Sequence, residues 1–180
     1  MTTWVALLRG VNVGGVTVRS ADLAALFREL GFADVKTFVA SGNVRFEADA
    51  AASDRDRLKA TIEKALGDRF GYEAWIVLVT HDELRAAIEG FPFAADDPTR
   101  QPYVVFCSDR SVREALTDAA EDLDAADDPV QPGFGVVYWC PPKGRTVDTR
   151  FARILARPAY KATTTTRNLR TLAKIAAEGP

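Results

Sequence analysis

The sequence predicts an α+β protein whose first half is a ferredoxin-like βαββαβ module. Apolar runs of strand length alternate with amphipathic stretches of helix length, capping and breaking residues sit at their ends, and the element order is that of a split βαβ unit. The first strand, about Thr3 to Arg9, opens onto a glycine-rich loop. A helix at about Ala21 to Leu30 follows, with Ser20 as N-cap and Gly31 as terminator. Strands at about Val35 to Ala40 and Val44 to Glu47 flank Ser41-Gly42-Asn43, residues suited to a tight turn. A helix from about Asp54 to Phe70 then leads to a strand at about Ala74 to Val79. Helices are expected on one face of an antiparallel sheet.

The second half, residues 81–180, is expected to form another α+β module that partly repeats the first, residues 1–80, within one compact unit. Thr80 with Glu83, and Ser111 with Glu114, have the spacing of a capping box and predict two helix starts. Tyr103 to Cys107 reads as a strand between those helices. Phe134 to Cys140 reads as a further strand, paired with a short one near Asp128 to Gln131. Helical patterns resume at about Phe151 to Leu155 and at about Asn168 to Ala177, where Leu169, Leu172, Ala173 and Ala176 share a face. The boundary between the modules is placed within Thr80 to Asp97, and Phe91 to Pro102 reads as the longest internal loop.

The composition, 47% hydrophobic with 27% charged residues, is that of a globular chain with a packed core. Apolar runs such as Ile76 to Val79 are far shorter than the roughly 20 residues a membrane-spanning helix needs. The N-terminus has no basic leader, which predicts a cytoplasmic protein with no membrane partner. Cys107 and Cys140 are too separated for a disulfide framework or a Cys-x-x-Cys metal site, and read as reduced core residues. Net charge is -2, yet its distribution is uneven. Glu114 to Asp128 carries only acidic charges, whereas Lys143 to Lys174 is basic apart from Asp148. The basic stretch reads either as a solvated face or as a surface for phosphate, nucleic acid or an acidic partner.

Three separated segments place polar residues at the mouths of apolar elements. The first is Arg9-Gly10-Val11-Asn12-Val13-Gly14-Gly15, in which Gly14 and Gly15 permit close backbone approach while Arg9 and Asn12 supply directed donors. It is neither a dinucleotide fingerprint nor a Walker loop, and a plain turn explains it equally well. The second, Ser41-Gly42-Asn43-Val44, is accounted for by hairpin chemistry, with Gly42 at the turn. Ferredoxin-like strand order nevertheless puts Asn43 beside the end of the first strand. The third, Thr163 to Asn168, reads as the N-terminus of the last helix. There Arg167 would oppose the helix dipole by roughly 0.3 to 1 kcal/mol unless an anion or an internal carboxylate such as Asp22 or Asp148 lies nearby.

These segments, in this order, resemble the bacterial family known as domain of unknown function 1697. The resemblance rests on Arg9 to Gly15, Ser41 to Val44 and Thr165-Thr166-Arg167-Asn168. Two departures are visible: Leu169 stands where the family pattern commonly has an aromatic residue, and Pro141-Pro142-Lys143-Gly144 replaces a glycine-centred turn. The resemblance implies a ferredoxin-like α+β fold and a cytoplasmic bacterial protein, and supplies no catalytic residues.

The preferred function is a ligand-binding protein in which Arg9, Asn12, Gly14, Gly15, Ser41, Gly42, Asn43, Thr165, Thr166, Arg167 and Asn168 line a pocket for a nucleotide, a phosphometabolite or another polar anion. No cofactor and no metal is expected. The single histidine, His81, reads as a solvent-facing helix residue, so a histidine metal site or a serine-histidine-acid triad lacks its usual parts. The carboxylates from Asp118 to Asp128 lack an EF-hand pattern and read as solvated charge. An enzyme using the same pocket is the rival reading, with Arg9 and Arg167 as clamps. Nucleic-acid binding on the sheet is weaker, since the central strands offer only Trp4 and Phe46 for stacking. A partner-binding role for the basic C-terminal helix also stays open, and the oligomeric state is not legible.

Overall fold

The strand β1 (Thr2–Arg9) alternates two sets of side chains, and that alternation organises the first of two antiparallel sheets. The computed structural model describes residues 1–10, 16–38 and 42–177. It divides into two units, one of Met1–Leu84 with the stretch from Ile175, the other of Arg85–Lys174. The first unit runs β1, α1 (Ser20–Glu29), β2 (Ala33–Phe38), β3 (Asn43–Ala48), α2 (Arg55–Phe70) and β4 (Trp75–Thr80), with sheet order β2-β3-β1-β4. This is the ferredoxin-like order read from the sequence. The helix α3 (His81–Glu89) follows β4.

Trp4, Ala6 and Leu8 of β1 join Val44, Phe46, Ala48, Ile76 and Leu78 on one sheet face. Leu23, Leu26 and Phe27 of α1 and Leu58, Ile62 and Leu66 of α2 cover that face, with Phe27 edge-on to Phe46 at 5.2 Å. At about 25 cal/mol per Å² of apolar area, this burial is the main term holding the unit together. Arg55 at the start of α2 links the layers. It donates to Leu78 O at 2.9 Å and forms a two-pronged pair with Glu83 at 2.8 and 2.5 Å, while its guanidinium lies 5.4 Å from the Trp4 ring. Thr80 caps α3 as expected, its Oγ1 accepting from Glu83 N at 3.2 Å.

The second unit contains β5 (Tyr103–Cys107), α4 (Arg110–Ala119), β6 (Val130–Pro132), β7 (Val136–Trp139), α5 (Arg150–Leu155), α6 (Pro158–Lys161), β8 (Thr164–Asn168) and the start of α7 (Leu169–Ala177). Its sheet order, β6-β7-β5-β8, is the same as that of the first sheet once the strands are renumbered from β5. Val105, Val137 and Trp139 face Leu116, Phe151 and Ile154 from the helices.

Several expectations are corrected here. The threonine run does not open the last helix: Thr164–Asn168 is an edge strand paired with β5, and Asn168 Oδ1 caps α7 by accepting from Arg170 N at 2.8 Å. Arg167 therefore lies outside the helix, and the expected clash with its dipole disappears. Asp109, not Ser111, caps α4; its Oδ1 accepts from Val112 N at 3.0 Å and from Ser111 Oγ at 2.6 Å. Ser20 is the first helical residue, with Arg19 at the cap. Phe134 belongs to the β6–β7 turn and is 94% exposed. His81 is buried at 4% exposure, with Nε2 3.3 Å from Ala176 O, so it is not solvent-facing. Asp128 is also buried, accepting from Trp139 Nε1 at 2.9 Å and from Phe151 N at 3.2 Å, which takes it out of the solvated acidic segment.

Candidate functional site

The sheet face of the first unit that turns away from α1 and α2 is set by strand alternation. Since Trp4, Ala6, Leu8, Val44 and Phe46 face the helices, Val5, Leu7, Arg9, Asn43 and Arg45 face the other way. Cross-strand register then orders this face in rows. Lys36, Arg45, Val5 and Val79 form one row; Phe38, Asn43, Leu7 and Val77 form the next; Arg9 and Trp75 stand opposite each other at the strand end. Directly opposed residues have Cβ atoms about 5 Å apart.

Two of the three sequence motifs meet at that end. Gly10 follows β1 and has φ +80°, a conformation that suits glycine. Gly42 O accepts from Leu8 N at 2.8 Å, tying the β2–β3 turn to β1 one residue before Arg9. Asn43, 3% exposed, donates from its side-chain amide to Phe38 O at 3.1 Å. That bond closes the hairpin, so part of Asn43's role is structural. Asn12, Gly14, Gly15 and Ser41 lie outside the described residues.

The third motif belongs to the second unit and has partners there. Thr165 and Thr166 pair with Phe106 and Val105 of β5. Arg167 donates from Nη1 to Thr165 Oγ1 at 2.5 Å and to Thr166 O at 3.0 Å. Thr165, Thr166, Arg167 and Asn168 thus act in strand pairing and helix capping.

The most informative polar group on the face was not singled out from the sequence. Arg45 is 4% exposed, and its Nε and Nη2 have no hydrogen-bond partner among the described residues. A buried unpaired guanidinium is costly, because desolvation of the charge is not offset by an anion or acceptor. Arg9 is half-buried, makes no ion pair or hydrogen bond among the described residues, and burial lowers its pKa from the ordinary value. Val44-Arg45-Phe46 reads in sequence as ordinary in–out alternation. The signal available was an arginine in a central strand, and only its burial separates it from a solvated side chain.

Nucleophilic chemistry gets no support from the thiols. Cys107 and Cys140 are buried as expected; burial pushes the Cys107 thiol up to about 12 and raises that of Cys140. Trp4 and Phe46, the aromatics weighed for base stacking, are fully buried beneath the helices and unavailable to a base. Among the described residues, no group of three or more His, Cys, Asp or Glu side chains could hold a metal ion, and no helix is long and apolar enough to cross a membrane.

Residues 1–138 match the family described as "Protein of unknown function (DUF1697)". The chain belongs to that family. The match covers the glycine-rich segment, the hairpin and Arg45, and stops before β8. Among solved structures, the chain is similar to "conserved bacterial protein SP0830 from Streptococcus pneumoniae", at 23% identity and a TM-score of 0.80, over 99% of this chain and 98% of that one. At that identity the likeness speaks for the DUF1697 chain's fold alone. Comparison with curated proteins gives no match.

Proposed function

We propose that the first unit of this DUF1697 protein binds an anionic ligand at the end of its sheet, with Arg9 at the mouth, Arg45 as the deepest cation and Asn43 between them. The observation that carries this reading is that Nε and Nη2 of Arg45 are buried without a hydrogen-bond partner among the described residues. A folded chain that keeps such a charge gains from an anion that pairs with it, since charge-assisted hydrogen bonds in a desolvated setting are among the strongest available to a protein. A phosphate or carboxylate matches the fork of donors that arginine presents. Asn12, Gly14, Gly15 and Ser41 join the proposal on sequence grounds alone, as near neighbours in sequence of Arg9 and Gly42. Thr165, Thr166, Arg167 and Asn168 are left out of the proposed site; Arg167 bonds to Thr165 and Thr166, and Asn168 caps α7.

Titration with inorganic phosphate, followed by calorimetry and thermal melting, tests the reading. The wild-type chain is expected to bind phosphate and to melt higher with it, and Arg9→Ala to weaken binding about tenfold, the size of one charge-assisted hydrogen bond. Arg45→Met should abolish the response while leaving a folded protein. Equal phosphate responses from wild type and Arg45→Met would refute the site.

A further inference from the structure

We propose that the second unit carries a self-association contact, in which Phe134 of one copy of this chain seats in a cavity beside α4 of another. Phe134 is 94% exposed, yet it stands on a turn that is tied down on both sides. Gly133 N donates to Val136 O at 2.9 Å, Cys107 N donates to Gly135 O at 3.1 Å, and Arg113 Nη1 donates to Gly133 O at 2.7 Å. A phenyl ring held out in water forfeits the burial that aromatic side chains normally gain, and a pre-organised turn lets a partner bury it without first ordering a loop. Cations lie near its base. Arg113 is bonded to the turn itself, and Arg110, paired with Glu114, stands one helical turn earlier on α4. Ser108 N donates to Thr163 O at 2.8 Å, which brings the end of α6, with the exposed Lys161, to the same end of the sheet.

The cavity has the complementary character. Its volume is about 280 Å³, below the roughly 300–1,000 Å³ of small-molecule sites, and Ala120, Leu123, Ala125 and Val130 give it an apolar wall. Ala120, Leu123 and Val130 are only partly buried, so apolar surface remains uncovered there. Asp128 also lines it, but its oxygens already accept bonds from Trp139 and Phe151. The exposed Glu121 lines the cavity as well, and Asp118, Asp122 and Asp124 are close in sequence, none of the four with an ion pair among the described residues. An apolar hollow among carboxylates matches an apolar side chain among cations, and such complementarity selects a partner. Both halves are present on this chain, which favours a second copy over a foreign protein. β6 runs from Val130 in the cavity wall to Pro132 beside the turn, so ring and cavity sit at opposite ends of this strand and meet only between copies. Such a head-to-tail contact propagates into rings or open chains rather than closing as a two-fold dimer. One ring with a charged rim buries far less than the roughly 1,200 Å² of a stable complex, so the association is weak and concentration-dependent.

The experiment is sedimentation velocity on the full chain over a concentration series reaching about 1 mM, where weak contacts populate. The weight-average mass of wild type is expected to rise with concentration past that of a dimer, and to fall back when salt is raised from about 50 to about 500 mM. Phe134→Ser, at a solvated position, should keep the fold and stay monomeric. Ala125→Trp, which fills the cavity from an exposed position, should also stay monomeric. Mixing these two variants should give a one-to-one dimer and nothing larger, because one supplies the cavity and the other the ring. Glu121→Lys, which repels the cations, should weaken assembly about tenfold, and it tests the cavity side even if circular dichroism shows Ala125→Trp to be unfolded. Wild type that stays monomeric at the highest concentration, or assembly that survives Phe134→Ser, overturns the proposal. Assembly that survives Glu121→Lys and a folded Ala125→Trp, or a mixture of folded variants that remains monomeric, overturns the cavity as the seat of Phe134.

Discussion

The two sheets share one strand order but treat the same row of residues differently. In the first unit the row is Lys36, Arg45, Val5 and Val79; in the second, the matching pairings give Gln131, Tyr138, Val104 and Arg167. Arg45 and Tyr138 occupy equivalent positions, each opposite a fully buried valine of the central strand. The Tyr138 hydroxyl donates to Ala87 O at 2.7 Å, its ring meets Phe91 edge-on at 5.7 Å, and Gly90 lacks a side chain where a Cβ would come within 2.7 Å of the hydroxyl. Arg167 is likewise hydrogen-bonded within its own strand. In the second unit the buried tyrosine of this row thus has its hydroxyl hydrogen-bonded. The first leaves the Arg45 Nε and Nη2 without a partner among the described residues.

Loop lengths differ in the same direction. Between β5 and α4 lie only Ser108 and Asp109, and Asp109 is spent on capping the helix. Between β1 and α1 lie residues 10–19. The unpartnered Arg45 nitrogens belong to one copy of the fold, and the equivalent position of the other holds a tyrosine hydroxyl that is hydrogen-bonded; the proposed site rests on that difference.

If that difference holds, disrupting the second unit's polar contacts should cost stability. The largest effect is expected from Asp128→Ala, which leaves the Trp139 indole N–H and the Phe151 amide buried without their acceptor. A loss of about 2–4 kcal/mol in denaturant unfolding is anticipated, and a loss under 1 kcal/mol would mean the pair is replaceable by solvent. Next comes Tyr138→Phe, which strands one carbonyl and should lower stability by about 1 kcal/mol. The smallest effect is a pH dependence in the first unit. Burial by itself would raise the Glu83 pKa, but its hydrogen bonds and ion pair with Arg55, with help from Thr80, outweigh this and hold it below the usual carboxylate value. A carboxylate with a depressed folded pKa contributes stability above its unfolded pKa and loses it as pH falls through the folded one. Unfolding followed from pH 6 downward should therefore show wild type losing its advantage over Glu83→Gln below about pH 4.5. A constant difference across that range would take the ion pair out of the balance.

Much of the first unit was legible in the sequence because its strands and helices differ in apolar period and are separated by Gly31, Gly42 and Gly71. The second unit was only half legible. β8 has no apolar alternation, since Thr164 to Asn168 is polar throughout, and four threonines ahead of an apolar helix look like caps. Their β-branched side chains favour extended backbone and were the overlooked clue. Missing β8 also hid the identical strand order of the two sheets. Of the candidate site, Arg9, Gly42 and Asn43 were legible through glycine and asparagine placement. Arg45 was not, because alternation tells which face a residue takes and not whether that face is covered.

The most direct test is a comparison of Arg45→Met with Tyr138→Phe, two changes at equivalent positions, in unfolding experiments with and without phosphate. A buried charge kept for a ligand should be a burden on the free protein, so Arg45→Met is predicted to raise the unfolding free energy by about 1–3 kcal/mol and to lose the stabilisation by phosphate. Tyr138→Phe should lower it and keep the phosphate response. If Arg45→Met instead destabilises the protein as Tyr138→Phe does, and phosphate still stabilises it, then Arg45 is a structural residue and the first unit carries no anion site there.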